Sequence, residues 1–251
     1  MSPFNLLGLI STFALFLPVL LLLITRLAWY RTFPALFTYF FLIFAYNFVM
    51  LGYVDLPKDF RVYFGITNNF LDAPLMLMFL SYFSRTPVFR KRMRIALYAF
   101  LVFELVVVLL YGYTLKSSVI IAGPGLVLVA TFALLFFIHQ VKITVIYHKA
   151  AGKALMASSI LFAYVGFLYV FIVFYFMNAS YRNDAHLVYF LIIIFSCISM
   201  SAGIIMERKR VRQLAEIKTT RQELKALYAG QERMATPPLE TIVFNFDKKW
   251  N

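Results

Sequence analysis

Seven long apolar stretches dominate the sequence, at approximately 4–25, 33–54, 62–83, 95–113, 118–141, 154–177 and 186–206. A helix rises about 1.5 Å per residue, so about 20 such residues cross the roughly 30 Å of hydrocarbon in a bilayer. A segment that crosses lipid must satisfy its backbone polar groups internally, and a helix does so within itself. Runs this long therefore restrict the chain to a bundle of spanning helices. Composition agrees: of 251 residues, 63% are hydrophobic and 14% charged, and the mean hydropathy is +0.82. A soluble domain carries roughly a quarter charged residues. A water-soluble enzyme, a secreted disulfide scaffold and a disordered chain are all excluded. The expected class is an all-α polytopic membrane protein, a seven-transmembrane-helix bundle with a cytoplasmic C-terminal helix.

The third stretch is the weakest, because Thr67, Asn68, Asn69 and Asp72 interrupt it. The loop charges test it independently. The first connection carries Arg26 and Arg31, whereas the second sets Lys58 and Arg61 against Asp55 and Asp59. The third holds Arg85, Arg90, Lys91, Arg92 and Arg94, and the fourth only Lys116. The fifth holds Lys142, Lys149 and Lys153, and the sixth sets Arg182 beside Asp184. Cation-rich and cation-poor loops alternate, and basic loops are normally cytoplasmic. Removing the third span would break that alternation. Seven spans are expected, with the N-terminus outside and the C-terminus inside, in a cytoplasmic or plasma membrane. The net charge of +13 is then a positive-inside bias, and no nucleic-acid partner is expected. Residues 1–5 carry no Lys or Arg, unlike a cleaved signal peptide, so the first helix is expected to be retained.

Beyond the bundle (1–206) the chain changes character. Residues 207–233 are highly charged yet periodic, with Leu214, Ile217, Leu224 and Tyr228 near heptad spacing and Arg221 interrupting the seam. A cytoplasmic helix continuing the seventh span is expected. Its first cations, Arg208, Lys209, Arg210 and Arg212, would lie at the height of anionic headgroups, each attracted by roughly 1 kcal/mol. Two readings stay open: a stop-transfer anchor with a solvated helix, or a helix that dimerises the chain or recruits a cytoplasmic protein. Pro237 and Pro238 end it, and 234–251 reads as a flexible tail, although 239–246 alternates like a strand that could join a partner's sheet edge. The bilayer, a cytoplasmic protein and a second copy of the chain are the expected partners. No internal repeat marks an inverted-repeat transporter.

Two carboxylates, Asp72 and Glu104, fall inside expected spans. An ionisable group at the bilayer centre costs at least about 2.5–3.5 kcal/mol on insertion scales, so it normally faces the bundle interior. Counting along the third and fourth spans, which run in opposite directions, puts both near the midplane. If they face each other, they would share or bind a proton. Gly65, Asn68, Asn69 and Asp72 recur at spacings of three and four, forming one polar stripe on the third helix. Pro74 removes the backbone bond to the carbonyl of Phe70. A freed carbonyl, a carboxyl and two amides can hold a proton, a cation, water or a polar ligand; the plainer account is interhelical glue.

Asn47 in the second helix and Tyr164 in the sixth extend the candidate interior site. Ser196, Ser199 and Gly203 in the seventh make a close-packing pattern. Gly123-Pro124-Gly125 is expected to break or kink the fifth helix, as a hinge like Pro74 or as the lip of an outward-facing pocket. Enzyme signals are poor. His139, His148 and His186 fall near opposite membrane faces and cannot share a metal, and no phosphate loop, nucleophile elbow or paired cysteine is present. Cys197 is the single cysteine, and Asn178-Ala179-Ser180 matches a glycosylation sequon.

Seven helices with short loops at this length resemble the microbial rhodopsin architecture. The run Asn68-Asn69-Phe70-Leu71-Asp72-Ala73-Pro74-Leu75 is similar to that family's third helix, where a counter-ion lies six residues before a proline followed by leucines. The resemblance puts Asn68 at the usual carboxylate position and Asp72 one turn later. It also implies a retinal-bearing lysine in the seventh helix, and 186–206 contains no lysine. Covalent retinal is therefore not expected, nor is any other cofactor. The chain also resembles the seven-helix sensory portions of bacterial histidine kinases, which continue into a cytoplasmic helix. The leading expectation is a non-enzymatic sensor or receptor that binds a small ligand, lipid or proton around Asp72, Asn68, Asn69 and Glu104 and signals through the C-terminal helix. The alternative is an ion channel or proton/cation transporter using both carboxylates. A membrane-embedded lipid-modifying enzyme using them as acid and base is the third.

Overall fold

The computed structural model describes residues 3–54, 56–84, 87–147, 151–177 and 181–231. Its α-helices are α1 (Pro3–Ile24), α2 (Phe33–Met50), α3 (Lys58–Leu80), α4 (Pro87–Tyr111), α5 (Leu115–Tyr147), α6 (Ala151–Phe176) and α7 (Arg182–Gln231), with two short 3₁₀ turns, Leu27–Trp29 and Ser81–Phe83. No strand occurs among the described residues. The chain forms two compact units, Met1–Lys209 and Arg210–Asn251. All the helices except α3 are long and apolar enough to cross a membrane, which makes six.

The helix that composition disqualifies is packed against several others. α3 packs against α2, α4 and α5, and Tyr164 of α6 hydrogen-bonds its Asp72. It also runs antiparallel beside α2 over its length. Phe33 at the start of α2 meets Phe79 near the end of α3, with ring centroids 5.4 Å apart. Toward the other end Tyr46 meets Phe64 at 5.8 Å, and a Cβ on Gly65 would sit 3.1 Å from the Tyr46 hydroxyl. Aromatic rings thus hold α3 against α2 toward both of its ends. Rings seal its C-terminal end: Phe79 and Phe83 are almost fully buried and pack edge to face at 5.5 Å.

Small residues bring α6 and α7 together. A Cβ on Gly203 would lie 2.5 Å from Met156 Cγ, and one on Gly152 would lie 2.8 Å from the backbone nitrogen of Glu207. Nearer the middle, the Ser159 hydroxyl donates to the Ser196 carbonyl at 2.6 Å. The small-residue pattern on the seventh helix therefore packs it closely on α6. The connections are short, and Gly52 (φ 79°) and Gly112 (φ 70°) turn the chain after α2 and α4 in the left-handed region that favours glycine.

Two expectations need correction. Gly123-Pro124-Gly125 does not break the fifth helix, since α5 runs without interruption from Leu115 to Tyr147. The glycines serve packing: a Cβ on Gly123 would meet the Phe171 ring at 3.4 Å, and one on Gly125 would meet Ala73 and Phe100 at 3.1 Å. Glu207, placed by sequence at the head of a solvated helix, is fully buried. The Tyr82 hydroxyl donates to its Oε1, so the bundle includes it.

In the second unit the described residues are the end of α7. Arg212 pairs with Glu216 at 3.0 Å, one turn apart and well exposed, which contributes little to stability. Leu214, Ile217, Leu224 and Tyr228 are all exposed. The expected tail at 234–251, the sequon at 178–180 and His148 lie outside the described residues.

Candidate functional site

A cavity of about 330 Å³ opens among α1, α2, α3, α5, α6 and α7. Its polar wall is the stripe on α3: Asn68, Asn69 and Asp72 all line it, because spacings of three and four put them on one helix face. Gly65, the fourth member, instead lets Tyr46 approach. Asp72 keeps part of its surface open to the cavity. Its Oδ1 accepts a hydrogen bond of 2.8 Å from the Tyr164 hydroxyl, and Tyr39 of α2 lines the same cavity. Two helices therefore meet at one carboxyl.

Several other polar groups of the wall are bonded within the protein. Asn69 Nδ2 donates to Ser118 Oγ of α5 at 3.0 Å. Asn47 Nδ2 donates to the carbonyl of Ile43 one turn back, at 2.9 Å. Ser196 Oγ donates to the Ile193 carbonyl at 3.0 Å. Aromatic rings make up much of the rest, Phe167 and Phe171 from α6 and Tyr189 from α7 among them. Along α6 the lining runs from Ser159 to Tyr175, which at about 1.5 Å per residue is about 24 Å of helix axis. The cavity is long, apolar over most of its surface and acidic at one point.

Glu104 is not part of this wall. It sits on the buried face of α4 with Met93, Phe100 and Val107, and its Oε1 is buried with no hydrogen-bond partner. It is still within Coulombic reach of Asp72. The hinge candidates stand apart too: Ala122 and Leu126 of α5 line the cavity, whereas Pro74, Gly123, Pro124 and Gly125 are absent from its lining.

Compared with known proteins, the chain matches no family model, no curated protein and no solved structure. The site must be read from its own geometry.

A second polar cluster closes the bundle end where α3 finishes and α6 begins. Tyr82 donates to Glu207, and the Lys153 ammonium lies 4.1 Å from the centroid of the Tyr82 ring. Gln140 Nε2 donates to the Phe83 carbonyl at 3.4 Å. Arg208 Nη1 donates to the carbonyl of Ile24 at the end of α1, 3.0 Å away. Of the four expected membrane-surface cations, Arg208 is thus bonded to the end of a neighbouring helix. Lys209 is exposed, and Arg212 is paired with Glu216.

Sequence reasoning found the carboxyl and its tyrosine partner but missed Tyr39, Tyr189, Ser118 and Ser159. Tyrosines and serines inside apolar runs carry no signal of their own, because only helix rotation decides whether they face a cavity. Tyr82 and Glu207 were missed for a different reason. They lie 125 residues apart, and nothing local links them.

Proposed function

We propose that the chain is a seven-span membrane sensor with its N-terminus outside and its C-terminus in the cytoplasm, and that a small ligand occupies the cavity beside Asp72. Counting α3 as a span rests on its antiparallel course beside α2 and on the alternating loop charges. The observation that carries the ligand reading is the cavity itself. At about 330 Å³ it falls within the usual range for small-molecule sites, which are mostly apolar with a few placed polar groups. A mere packing contact between Asp72 and Tyr164 would leave no such space.

The route of the signal follows from which helices are shared. α3 and α7 both line the cavity, with Asp72 and Met76 from one and Tyr189, Ile193, Cys197 and Met200 from the other. The same two segments meet again where Tyr82 bonds Glu207. A ligand that moves α3 against α7 must strain or release that bond, at the point where α7 leaves the bundle. The residues after it, with their exposed seam, would then engage a cytoplasmic protein or a second copy.

A relay for protons or cations is the second reading, favoured by the unpartnered Oε1 of Glu104 within Coulombic reach of Asp72. The two readings separate in proteoliposomes. The sensor predicts no proton or potassium flux above empty vesicles. Flux in the native chain that disappears in Asp72→Asn or Glu104→Gln replaces the sensor by a conducting protein.

A further inference from the structure

The cavity's hydrogen-bond inventory points to the charge of its ligand. Among the lining residues there is one acid, Asp72, and no Lys, Arg or His. The hydroxyl of Tyr164 donates to Asp72. Among the lining residues no cation offsets the carboxylate, and an uncompensated buried charge costs several kcal/mol.

Five donors of the wall are turned inward to the protein. The hydroxyls of Ser159, Ser196 and Tyr164 donate to the Ser196 carbonyl, the Ile193 carbonyl and Asp72. Asn69 donates to Ser118 and Asn47 to Ile43. What remains turned to the space carries one full charge, the carboxylate of Asp72, among the neutral amides and hydroxyls of Asn68, Ser118, Tyr46 and Tyr189. A ligand suited to that wall brings positive charge. The aromatic walls favour the same choice, since a ring face attracts a desolvated cation by about 2 kcal/mol. The long apolar extent along α6 asks for a hydrocarbon or aromatic body behind the charge.

We propose that the cavity binds an amphipathic organic amine, its ammonium at Asp72 and its apolar body among Phe167, Phe171 and Tyr189. This rests on the reading of the cavity as a ligand site. The amine supplies the counter-charge the bundle lacks, and its N–H groups satisfy the acceptors of Asp72 and the α3 amides. A neutral ligand of the same shape would leave the carboxylate unpaired, and an anionic one would be repelled. Glu104, outside the cavity wall, contributes no contact to the ligand.

The test uses the full chain in lipid nanodiscs and equilibrium dialysis of two probes of nearly the same shape, phenylbutylamine and phenylbutanol, with empty nanodiscs subtracted. A hydrogen bond to a charged group is worth about 1.5–3 kcal/mol, so the native chain should prefer the amine by about ten- to a hundredfold. Asp72→Asn should abolish that preference while the alcohol still binds, and Glu104→Gln should leave it intact. Equal affinity for the two probes in the native chain overturns the amine and leaves a neutral-ligand site. A preference that survives Asp72→Asn overturns the assignment to Asp72. Binding of neither probe overturns the ligand-site reading together with this one. Should Asp72→Asn not fold, Tyr164→Phe, which keeps the carboxyl and the cavity, should weaken amine binding more than alcohol binding; equal weakening counts against the proposal.

Discussion

α3 and α4 are neighbours of similar length with opposite relations between composition and burial. α4 is apolar enough to cross a membrane, yet Val102, Leu105, Leu109 and Leu110 are each at least 61% exposed. α3 carries Asn68, Asn69 and Asp72 and falls outside the apolar helices, yet Ala73, Met76, Leu77, Phe79 and Leu80 are buried. In a bundle placed in lipid the exposed side of a helix must be apolar, whereas an interior helix can be polar where neighbours satisfy it. For this pair, then, the apolar helix is the one with the more exposed side chains, and the fall in hydropathy at α3 coincides with a wall of the cavity. The single acid of α4 obeys the same rule, since Glu104 lies on that helix's narrow buried face.

The largest effect should come from the α3 side. Phe79→Ala empties a fully buried site against Phe33 and Phe83 and should cost about 3–5 kcal/mol. Leu109→Ala, on a residue 76% exposed, should change stability by no more than about 0.5 kcal/mol. Thermal unfolding of the two variants in the same detergent reads the difference. Equal losses would mean that α4 is covered by something other than lipid, a second copy above all.

A charge placed on the other side tests the same rule in reverse. Leu105→Asp puts a carboxylate next in sequence to Glu104 but on the exposed face, and it should raise the insertion cost of α4 by about 3–4 kcal/mol. A glycosylation reporter fused after the helix should then show reduced insertion. Unchanged insertion would show that this face of α4 meets water or protein.

How much of this was legible follows from the same contrast. Lengths, order and the polar stripe are local properties, so the helices and the candidate role of Asn68, Asn69 and Asp72 can be read along the chain. Tyr164 stood out as a polar group in mid-span, but its bond to Asp72 depends on the rotation of α6 about its axis, which periodicity does not specify when most faces are apolar. Glu207 misled because it opens a run of charges. Its burial depends on Gly152 and Gly203, which let α6 and α7 close on it, and on the hydroxyl of a distant tyrosine. Pro124 left both a break and a kink open, because a proline between glycines reads as either. In the bundle those glycines admit Phe171, Ala73 and Phe100 instead, and the helix continues.

Tyr82→Phe separates the buried acid at the bundle end from the acid at the cavity. Removing the hydroxyl takes one donor from a fully buried carboxyl, and a typical intramolecular hydrogen bond contributes about 0.5–1.5 kcal/mol. A drop in thermal stability without loss of probe binding places the pair in the α7 junction alone. Loss of both would tie it to the cavity more directly than the shared helices do.

The smallest effect concerns the α3 stripe itself. Asn69 donates to Ser118, but it is exposed, and interhelical hydrogen bonds in membrane proteins average only about 0.6 kcal/mol. Asn69→Ala should therefore lower stability by about that amount, an effect close to the resolution of a thermal scan. If glue were the purpose of the stripe, the same substitution would leave ligand binding unchanged. If the stripe is the cavity's wall, binding of an amine probe should weaken several-fold, because one acceptor is gone from beside Asp72. A large stability loss with intact binding would return Asn69 to packing. It would also leave the polarity of α3, outside Asp72, without a part in the ligand site.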